Sequence, residues 1–135
     1  MNYYIASGLE NTKCVGFAAQ ALSGHTRTYD WTTHGDIRRE GAMRMQQVCR
    51  NELQAVIDAE LVVVLFPGGK GTHSEIGAAL ATAQNKRIIL WSETGDEFRA
   101  GDGETHPSVC AFYFHPSVER WVCPFERLLD RLRAI

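Results

Sequence analysis

The stretch from Leu61 to Ala83 constrains the fold more than any other part of the chain. It begins with six apolar residues in a continuous run, Leu61 to Phe66. A run without alternation is typical of a short strand buried on both faces of a parallel sheet. Pro67 ends the strand, three of the next four residues are glycine, and apolar residues then recur at helical spacing from Thr72 onward. The pattern predicts a strand, a glycine-rich turn and a helix.

A glycine-rich turn that leads into a helix is suited to bind an anion. The first N–H groups of a helix have no acceptor within it, and the helix dipole adds positive potential there. Gly68, Gly69 and Gly71 also have no Cβ to obstruct a phosphate or a sugar. Glu75 lies one turn into the helix, and a carboxylate near an anion site either takes part in chemistry or caps the helix. Thr72-x-x-Glu75 fits a capping box, so the pattern alone leaves both interpretations open.

Strands alternate with helices along the rest of the chain. Besides 61–66, the sequence predicts strands at 3–6, 26–31, 87–91 and 111–115. The predicted helices are 12–22, 42–59, 72–83 and 125–132. The segments 32–42 and 92–108 show no periodicity and are predicted as loops, the second a mobile excursion. Successive βαβ units connect right-handedly into a parallel sheet covered on both faces. We therefore expect an α/β, Rossmann-like three-layer sandwich with a five-stranded, mostly parallel sheet, formed by one domain over residues 1–135.

Composition argues against several classes of function. A formal net charge of -2 with 22% charged residues gives no reason to expect nucleic acid or a membrane surface as a partner. No window approaches the roughly 18 apolar residues of a membrane span, and the N-terminus lacks a signal pattern, so the expected location is cytoplasmic. The four cysteines have neither CxxC spacing nor a paired histidine, and we predict no metal and no cofactor. The expected partner is a small molecule.

Three turns are expected to meet at one ligand site. In open α/β sheets, ligands bind beyond the carboxyl ends of the strands, near the point where the strand order reverses. The turns contain Ser7 and Gly8, Asp30 and Trp31, and the segment 68–75. Asp30 is positioned to bind ribose hydroxyls and Trp31 to stack on a base, but a turn aspartate and a core tryptophan explain the pattern equally well. Ser7 and Gly8 can bond to sugar or phosphate, although such a pair is most often only a turn.

His73 follows the glycine turn, at the start of the predicted helix. Its ring can donate a hydrogen bond to a phosphate or a base. A histidine on the helix surface needs no such role, and that alternative also stays open. His34, His106 and His115 are scattered without the spacing of metal ligands.

The residues of the turn resemble those of a known superfamily. GTHSEIGAALA, after an apolar strand and PGG, resembles the GT-x-x-E-hydrophobic-G-x-A motif of the nucleoside 2-deoxyribosyltransferases. YYIASG and YDWT also resemble segments of this group, so the resemblance extends to about Trp91. PGG-x-GT-x-x-E, from Pro67 to Glu75, is similar to the motif of the nucleoside 5'-monophosphate phosphoribohydrolases that release cytokinin bases. Both families cleave or exchange an N-glycosidic bond.

The resemblance implies roles for particular residues. It implies that Glu75 is the nucleophilic or base-like carboxylate and that the glycine turn holds the sugar or the 5'-phosphate. Thr72 and His73, which follow the turn, are further candidates for binding the substrate. A second catalytic carboxylate is implied on the preceding helix, where Glu52 lies nearest by spacing. The deoxyribosyltransferases commonly have an aspartate six residues before the catalytic glutamate, and Gly69 stands there in this chain, which favours a phosphate cradle. Family members complete the site with a group from a neighbouring subunit, so a homodimer or higher homo-oligomer is expected.

The sequence therefore predicts an enzyme, a nucleoside deoxyribosyltransferase or a nucleotide N-glycosidase. It would cleave or exchange the N-glycosidic bond of a (deoxy)nucleoside or nucleoside 5'-monophosphate through Glu75. The alternative is a non-catalytic nucleotide-binding or sensing module of the same fold, which Gly69 in place of the aspartate leaves open. An NAD-dependent oxidoreductase is disfavoured, because ASGLEN follows the first strand instead of a G-x-G-x-x-G turn.

Overall fold

The structure is a computed structural model, which describes residues 1–101, 103 and 105–135. Five strands form a single sheet at the centre of the described protein. The strands are β1 (Asn2–Ser7), β2 (Thr26–Arg27), β3 (Leu61–Leu65), β4 (Arg87–Ser92) and β5 (Val118–Val122). Their order is β2-β1-β3-β4-β5, and every pairing between neighbours is parallel. The helices are α1 (Thr12–Ala21), α2 (Ala42–Asp58), α3 (Lys70–Ala81) and α4 (Phe125–Arg133). Strands and helices alternate along the chain, α1 packs with α4, and α2 packs with α3. With the parallel sheet, this confirms the predicted α/β Rossmann-like architecture.

The central strand β3 is buried over its whole length. Val63 lies between Ile5 of β1 and Ile89 of β4, and all three side chains are fully buried. Helices cover both faces of the sheet here, so no position on the strand faces water. Alternation of apolar and polar residues along the strand therefore has no advantage. This explains why the apolar run in the sequence is continuous, and it fixes the position of the turn that follows.

The second strand is shorter than predicted. The prediction of 26–31 is wrong beyond Arg27, and Trp31–Thr33 forms a short 3-10 helix. The side chain of Asp30 accepts a hydrogen bond from the Thr32 N–H at 3.0 Å, and such local bonds compete with the strand ladder. Asp30 and Trp31 therefore do not end a strand. β2 lies at the edge of the sheet.

The fifth strand lies further along the chain than predicted. Ala111–Phe114 forms a 3-10 helix, and the strand is Val118–Val122. Aromatic residues favour strands, but Tyr113 is buried here because it packs beside α3, and its two aromatic neighbours are exposed. β5 is an edge strand in which Trp121 alone is buried, so its apolar pattern is weak.

The apolar residues of α2 are only partly buried: Val48 and Val56 are in the core, whereas Met45, Leu53 and Ile57 are each more than 40% exposed. The predicted loop 92–108 contains a 3-10 helix at Asp96–Phe98, and it includes Asp102 and Glu104, which lie outside the described residues. Within the part of the chain that the structure describes, no helix is long and apolar enough to cross a membrane.

Candidate active site

A cavity of about 690 Å³ opens beyond the carboxyl ends of β1 and β3, and we call it the first cavity. It lies where the strand order reverses, because the connections after these two strands leave in opposite directions. Nine residues singled out in the sequence line it: Ser7, Gly8, Trp31, Glu52, Gly68, Gly69, Gly71, Thr72 and Glu75. Asp30 and His73, which the sequence also singled out, are not part of its lining. The fold thus gathers most of the predicted site from four separate segments.

Hydrogen bonds hold the end of β1 against the glycine turn. The Ser7 hydroxyl donates to the Leu65 carbonyl at 2.7 Å and accepts from Asn11 Nδ2 at 2.9 Å. Asn11 Nδ2 and the Gly8 N–H also donate to the Pro67 carbonyl, at 3.0 and 3.2 Å. The Ser7 proton is therefore used between strands, and Ser7 positions the cavity wall instead of offering that proton to a ligand.

The glycine turn presents bare backbone to the first cavity. α3 begins at Lys70, two residues earlier than predicted, and Gly69 before it provides no side-chain cap. The N–H groups of Lys70, Gly71 and Thr72 consequently have no acceptor within the helix, and all three residues line the cavity. Together with the helix dipole, these groups are suited to bind an anion.

Gly68→Ala is expected to disrupt the turn. A Cβ at Gly68 would lie 2.6 Å from the Cβ of Thr72, which is buried and cannot move aside easily. We expect a loss of about 1–3 kcal/mol in the free energy of unfolding, typical of overpacking, measured by urea denaturation. Gly69→Ala is the matched control, because a Cβ there meets nothing within 4 Å. Equal unfolding midpoints for the two variants would contradict this account.

Glu75 lies in the wall of the first cavity and does not cap the helix. Thr72 is the third residue of α3, not its N-cap, so the capping-box interpretation that the sequence left open is wrong. Oε2 of Glu75 is buried and has no hydrogen-bond partner. Oε1 is near the turn, since a Cβ at Gly71 would lie 4.0 Å from it. The carboxyl group therefore stands beside the bare backbone of the turn.

Burial raises the pKa of Glu75 to about 8. The nearby charge of Glu52 acts in the same direction, whereas the Tyr4 hydroxyl lowers this pKa by favouring the ionised carboxylate. The Tyr4 hydroxyl and Glu75 Oε2 are both buried without a hydrogen bond of normal geometry, but they are close enough to interact. Burial and Glu75 in turn raise the pKa of Tyr4, so its hydroxyl stays a donor. In the unliganded protein, Glu75 is mostly protonated at neutral pH.

Glu52 reaches the same cavity from α2. Burial raises its pKa, and His34 acts against this rise. The two predicted carboxyl groups are close enough for the charge of Glu52 to raise the pKa of Glu75. A site with two carboxyl groups in different surroundings can hold one protonated and one ionised.

Tyr4 and His34 belong to this site, and sequence reasoning missed both. Tyr4 offers one signal, since a tyrosine in a buried strand needs a partner for its hydroxyl. His34 lines the first cavity, with Nδ1 2.9 Å from the Gly35 carbonyl and Nε2 buried without a partner. It lies in an aperiodic segment, so its position was not predictable from a pattern.

Trp31 and Asp30 are not placed as expected for residues that stack on a base and bind ribose hydroxyls. Trp31 is only 5% exposed, and its Nε1 donates to the Ile5 carbonyl at 2.8 Å, so the indole belongs mainly to the core and only borders the cavity. The Asp30 carboxylate accepts from the Thr32 N–H and pairs with Arg27 at 2.9 Å. It is occupied within its own turn.

Two basic side chains lie at the mouth of the first cavity. Lys70 and Arg38 are exposed and contribute to its lining. Arg38 pairs with Asp36 at 2.6 Å, which holds the pKa of that aspartate at about 2. Among the described residues, no group of three or more His, Cys, Asp or Glu side chains is arranged to hold a metal ion.

The fold and the site together define an α/β protein with a carboxylate-containing cavity at its topological switch point. No protein-family model matches the sequence, and a comparison with curated proteins gives no match either. Among solved structures, the chain is similar to the CMP N-glycosidase BcmB of Clostridium botulinum, with a TM-score of 0.65 over 100% of both chains and 17% sequence identity. At this identity the likeness shows a shared fold.

Proposed function

We propose that the protein is an enzyme that breaks the N-glycosidic bond of a nucleoside or nucleoside 5'-monophosphate, by hydrolysis or base exchange, with Glu75 as the catalytic carboxylate. The observation that carries this proposal is the position of Glu75. Its carboxyl group, with one buried and unpartnered oxygen, stands in the wall of a cavity beside an open glycine turn. The full-length likeness to a CMP N-glycosidase supports the same class of reaction.

The first cavity has the size and charge for a nucleotide. Its volume of about 690 Å³ lies within the range of roughly 300–1,000 Å³ found for small-molecule sites. The N–H groups of Lys70, Gly71 and Thr72 would bind the 5'-phosphate, with charge added by Lys70. The sugar would then lie over Glu75, between the phosphate and the base.

Ionised Glu75 would attack C1' of the sugar while the bond from C1' to the base nitrogen breaks, through an oxocarbenium-like state. The resulting glycosyl ester is resolved by water, or by a second base in an exchange reaction. Glu52, whose pKa burial raises, is suited to donate the proton that the leaving base needs and later to take one from the attacking water. Each proton and each bond is then accounted for by these two carboxyl groups.

The raised pKa of Glu75 suits this chemistry. A buried carboxylate is poorly stabilised before reaction, but it attracts positive charge strongly in a site with few waters. Positive charge develops at C1' only as the base departs. The attraction is therefore greater in the transition state than in the bound substrate, which is the condition for catalysis.

A non-catalytic nucleotide-binding or sensing module is the second candidate. The observation that favours it is Gly69, which provides no side chain where the deoxyribosyltransferases carry an aspartate. Such a module would bind nucleotides in the first cavity and release no base. The expected homodimer or higher homo-oligomer is a prediction under either candidate.

Incubation with deoxyribonucleosides, ribonucleosides and their 5'-monophosphates, followed by chromatography of the bases, tests the proposal. We expect base release, with kcat/KM about tenfold or more higher for the monophosphates, because charge-assisted hydrogen bonds to the turn each contribute about 1.5–3 kcal/mol. Adding a second free base distinguishes exchange from hydrolysis. Nucleotide binding without base release would favour the sensing module, and no nucleotide binding would reject both candidates.

A further inference from the structure

A second cavity, of about 270 Å³, lies beside the first. Gly68 lines both, so the glycine turn separates them. The wall of the second cavity comes from Phe66 at the end of β3, from His73 in α3 and, after β4, from Glu97, Ser108, Cys110 and Tyr113. It is here, and not in the first cavity, that the structure places His73. The reaction proposed above makes no use of this space.

The walls of the second cavity fit a single planar ring. Phe66 and Tyr113 are buried, with ring centroids 4.8 Å apart, and the His73 ring is 5.7 Å from that of Tyr113. Flat apolar walls of this kind pack well against an aromatic heterocycle. The volume is below that of typical sites for drug-sized ligands, so the cavity suits a free base better than a whole nucleotide.

The polar groups of the second cavity are mainly hydrogen-bond acceptors. His73 Nδ1 is 2.7 Å from the Gly69 carbonyl, which can only accept, so Nδ1 carries the hydrogen. Nε2 then accepts from the Tyr113 hydroxyl at 2.6 Å, and burial raises the pKa of Tyr113 to about 12, which keeps that proton in place. The Tyr113 oxygen retains lone pairs for a ligand. Glu97 accepts from the Ser92 hydroxyl through Oε2, which leaves Oε1 for a ligand.

We propose that the second cavity binds a free nucleobase with an exocyclic amino group, such as cytosine or adenine. The ring lies against Phe66 and Tyr113, and the amino group donates to Glu97. The choice of a nucleobase rests on the proposed function, because base release or exchange brings a free base to the glycine turn. His73 connects a ligand at Tyr113 to Gly69, which lines the first cavity.

Each cavity contains a cysteine that can report its occupancy. Cys110 lines the second cavity and Cys49 the first, and both are free thiols. The rate at which iodoacetamide alkylates each thiol is measured by mass spectrometry, with and without cytosine or uracil. We expect saturating cytosine to lower the alkylation rate of Cys110 by about fivefold or more and to lower that of Cys49 by less. Uracil, which lacks the amino group, is expected to bind about tenfold more weakly.

Two variants test the named contacts. Glu97→Gln keeps an acceptor for Ser92 but removes the charge, so the concentration of cytosine needed to protect Cys110 rises about tenfold while that of uracil is unchanged. Ser108→Tyr places a large ring at the exposed rim of the second cavity. In this variant we expect Cys110 to be alkylated at the same rate with and without cytosine. Urea denaturation confirms that both variants are folded. The proposal is overturned if cytosine leaves Cys110 unchanged, if uracil protects equally well, or if protection survives in Ser108→Tyr.

The experiment is independent of turnover. Protection of Cys110 is measured with free base alone and repeated in Glu75→Gln, where it should persist. Protection without base release from any nucleotide would reject the proposed function and retain the second site. Base release by the wild-type protein without protection of Cys110 would reject the second site and retain the proposed function.

Discussion

Glu75→Gln abolishes base release, with kcat/KM reduced by at least about 10³-fold, as expected for loss of a nucleophile. The amide has nearly the shape of the carboxyl group but cannot form the glycosyl ester or carry negative charge towards C1'. Nucleotide binding should remain within a few-fold of that of the wild-type protein, because the phosphate is held by the turn. Chromatographic rates of base release and equilibrium binding of the substrate that the panel identifies measure the two effects separately.

Glu126→Gln is the matched control for this variant. It makes the same chemical change at an exposed position in the first turn of α4, outside the lining of both cavities, and should release base at the wild-type rate. The pH profile of the wild-type enzyme gives a second check. Because the reaction needs Glu75 ionised, with a pKa of about 8, and Glu52 protonated, kcat/KM should follow a bell-shaped pH profile that rises as Glu75 ionises and falls as Glu52 loses its proton. Full activity in Glu75→Gln would rule out this residue as the catalyst.

The same variant should become more stable than the wild-type protein as the pH is raised. The pKa of Glu75 is about 8 in the folded protein, against 4.5 for an ordinary glutamate. Between these values the folded protein holds a proton that the unfolded chain has lost, so the wild-type free energy of unfolding decreases as the pH rises. Glutamine does not titrate. The stability of Glu75→Gln relative to the wild-type protein should therefore increase by on the order of 4 kcal/mol between about pH 4 and pH 9.

Urea denaturation of both proteins across this pH range measures the effect. Any constant cost of burying the amide cancels, because only the change with pH is compared. Glu52→Gln is the matched control: burial also raises the pKa of Glu52, so the effect should have the same sign but be smaller, since His34 opposes the rise. Parallel stability curves for Glu75→Gln and the wild-type protein would mean that Glu75 ionises normally and is not desolvated.

Together these two results would describe a functional group held at a cost to stability. A buried carboxyl group that lowers stability at working pH, and whose removal destroys activity, is typical of an active site. A buried glutamate without a catalytic role would show the change of stability with pH but not the loss of base release. The loss of base release in Glu75→Gln therefore decides between the enzyme and the sensing module.

The sequence predicted best those elements whose structure depends on neighbours along the chain. β3 and its turn were recognised because a buried central strand needs apolar residues at every position and because glycines mark the following turn. β2 and β5 were predicted less well. As edge strands they need few apolar residues, and their ends depend on pairing with Asn2–Tyr3 and with Ile88–Ser92. The aromatic segment 111–114 gave a false strand signal, because its buried tyrosine packs beside α3 instead of in the sheet.

The sequence by itself determined the α/β architecture, the glycine turn, and the presence of Glu75 one turn into the following helix, because each is set by local spacing and backbone preference. Only the tertiary structure decided which groups surround that carboxyl. Tyr4 on β1, Glu52 on α2 and His34 after β2 are far apart in the chain, and the parallel sheet brings them to one edge. The pKa of Glu75 depends on its burial, on Tyr4 and on Glu52, so no pattern of residues along the chain could provide it.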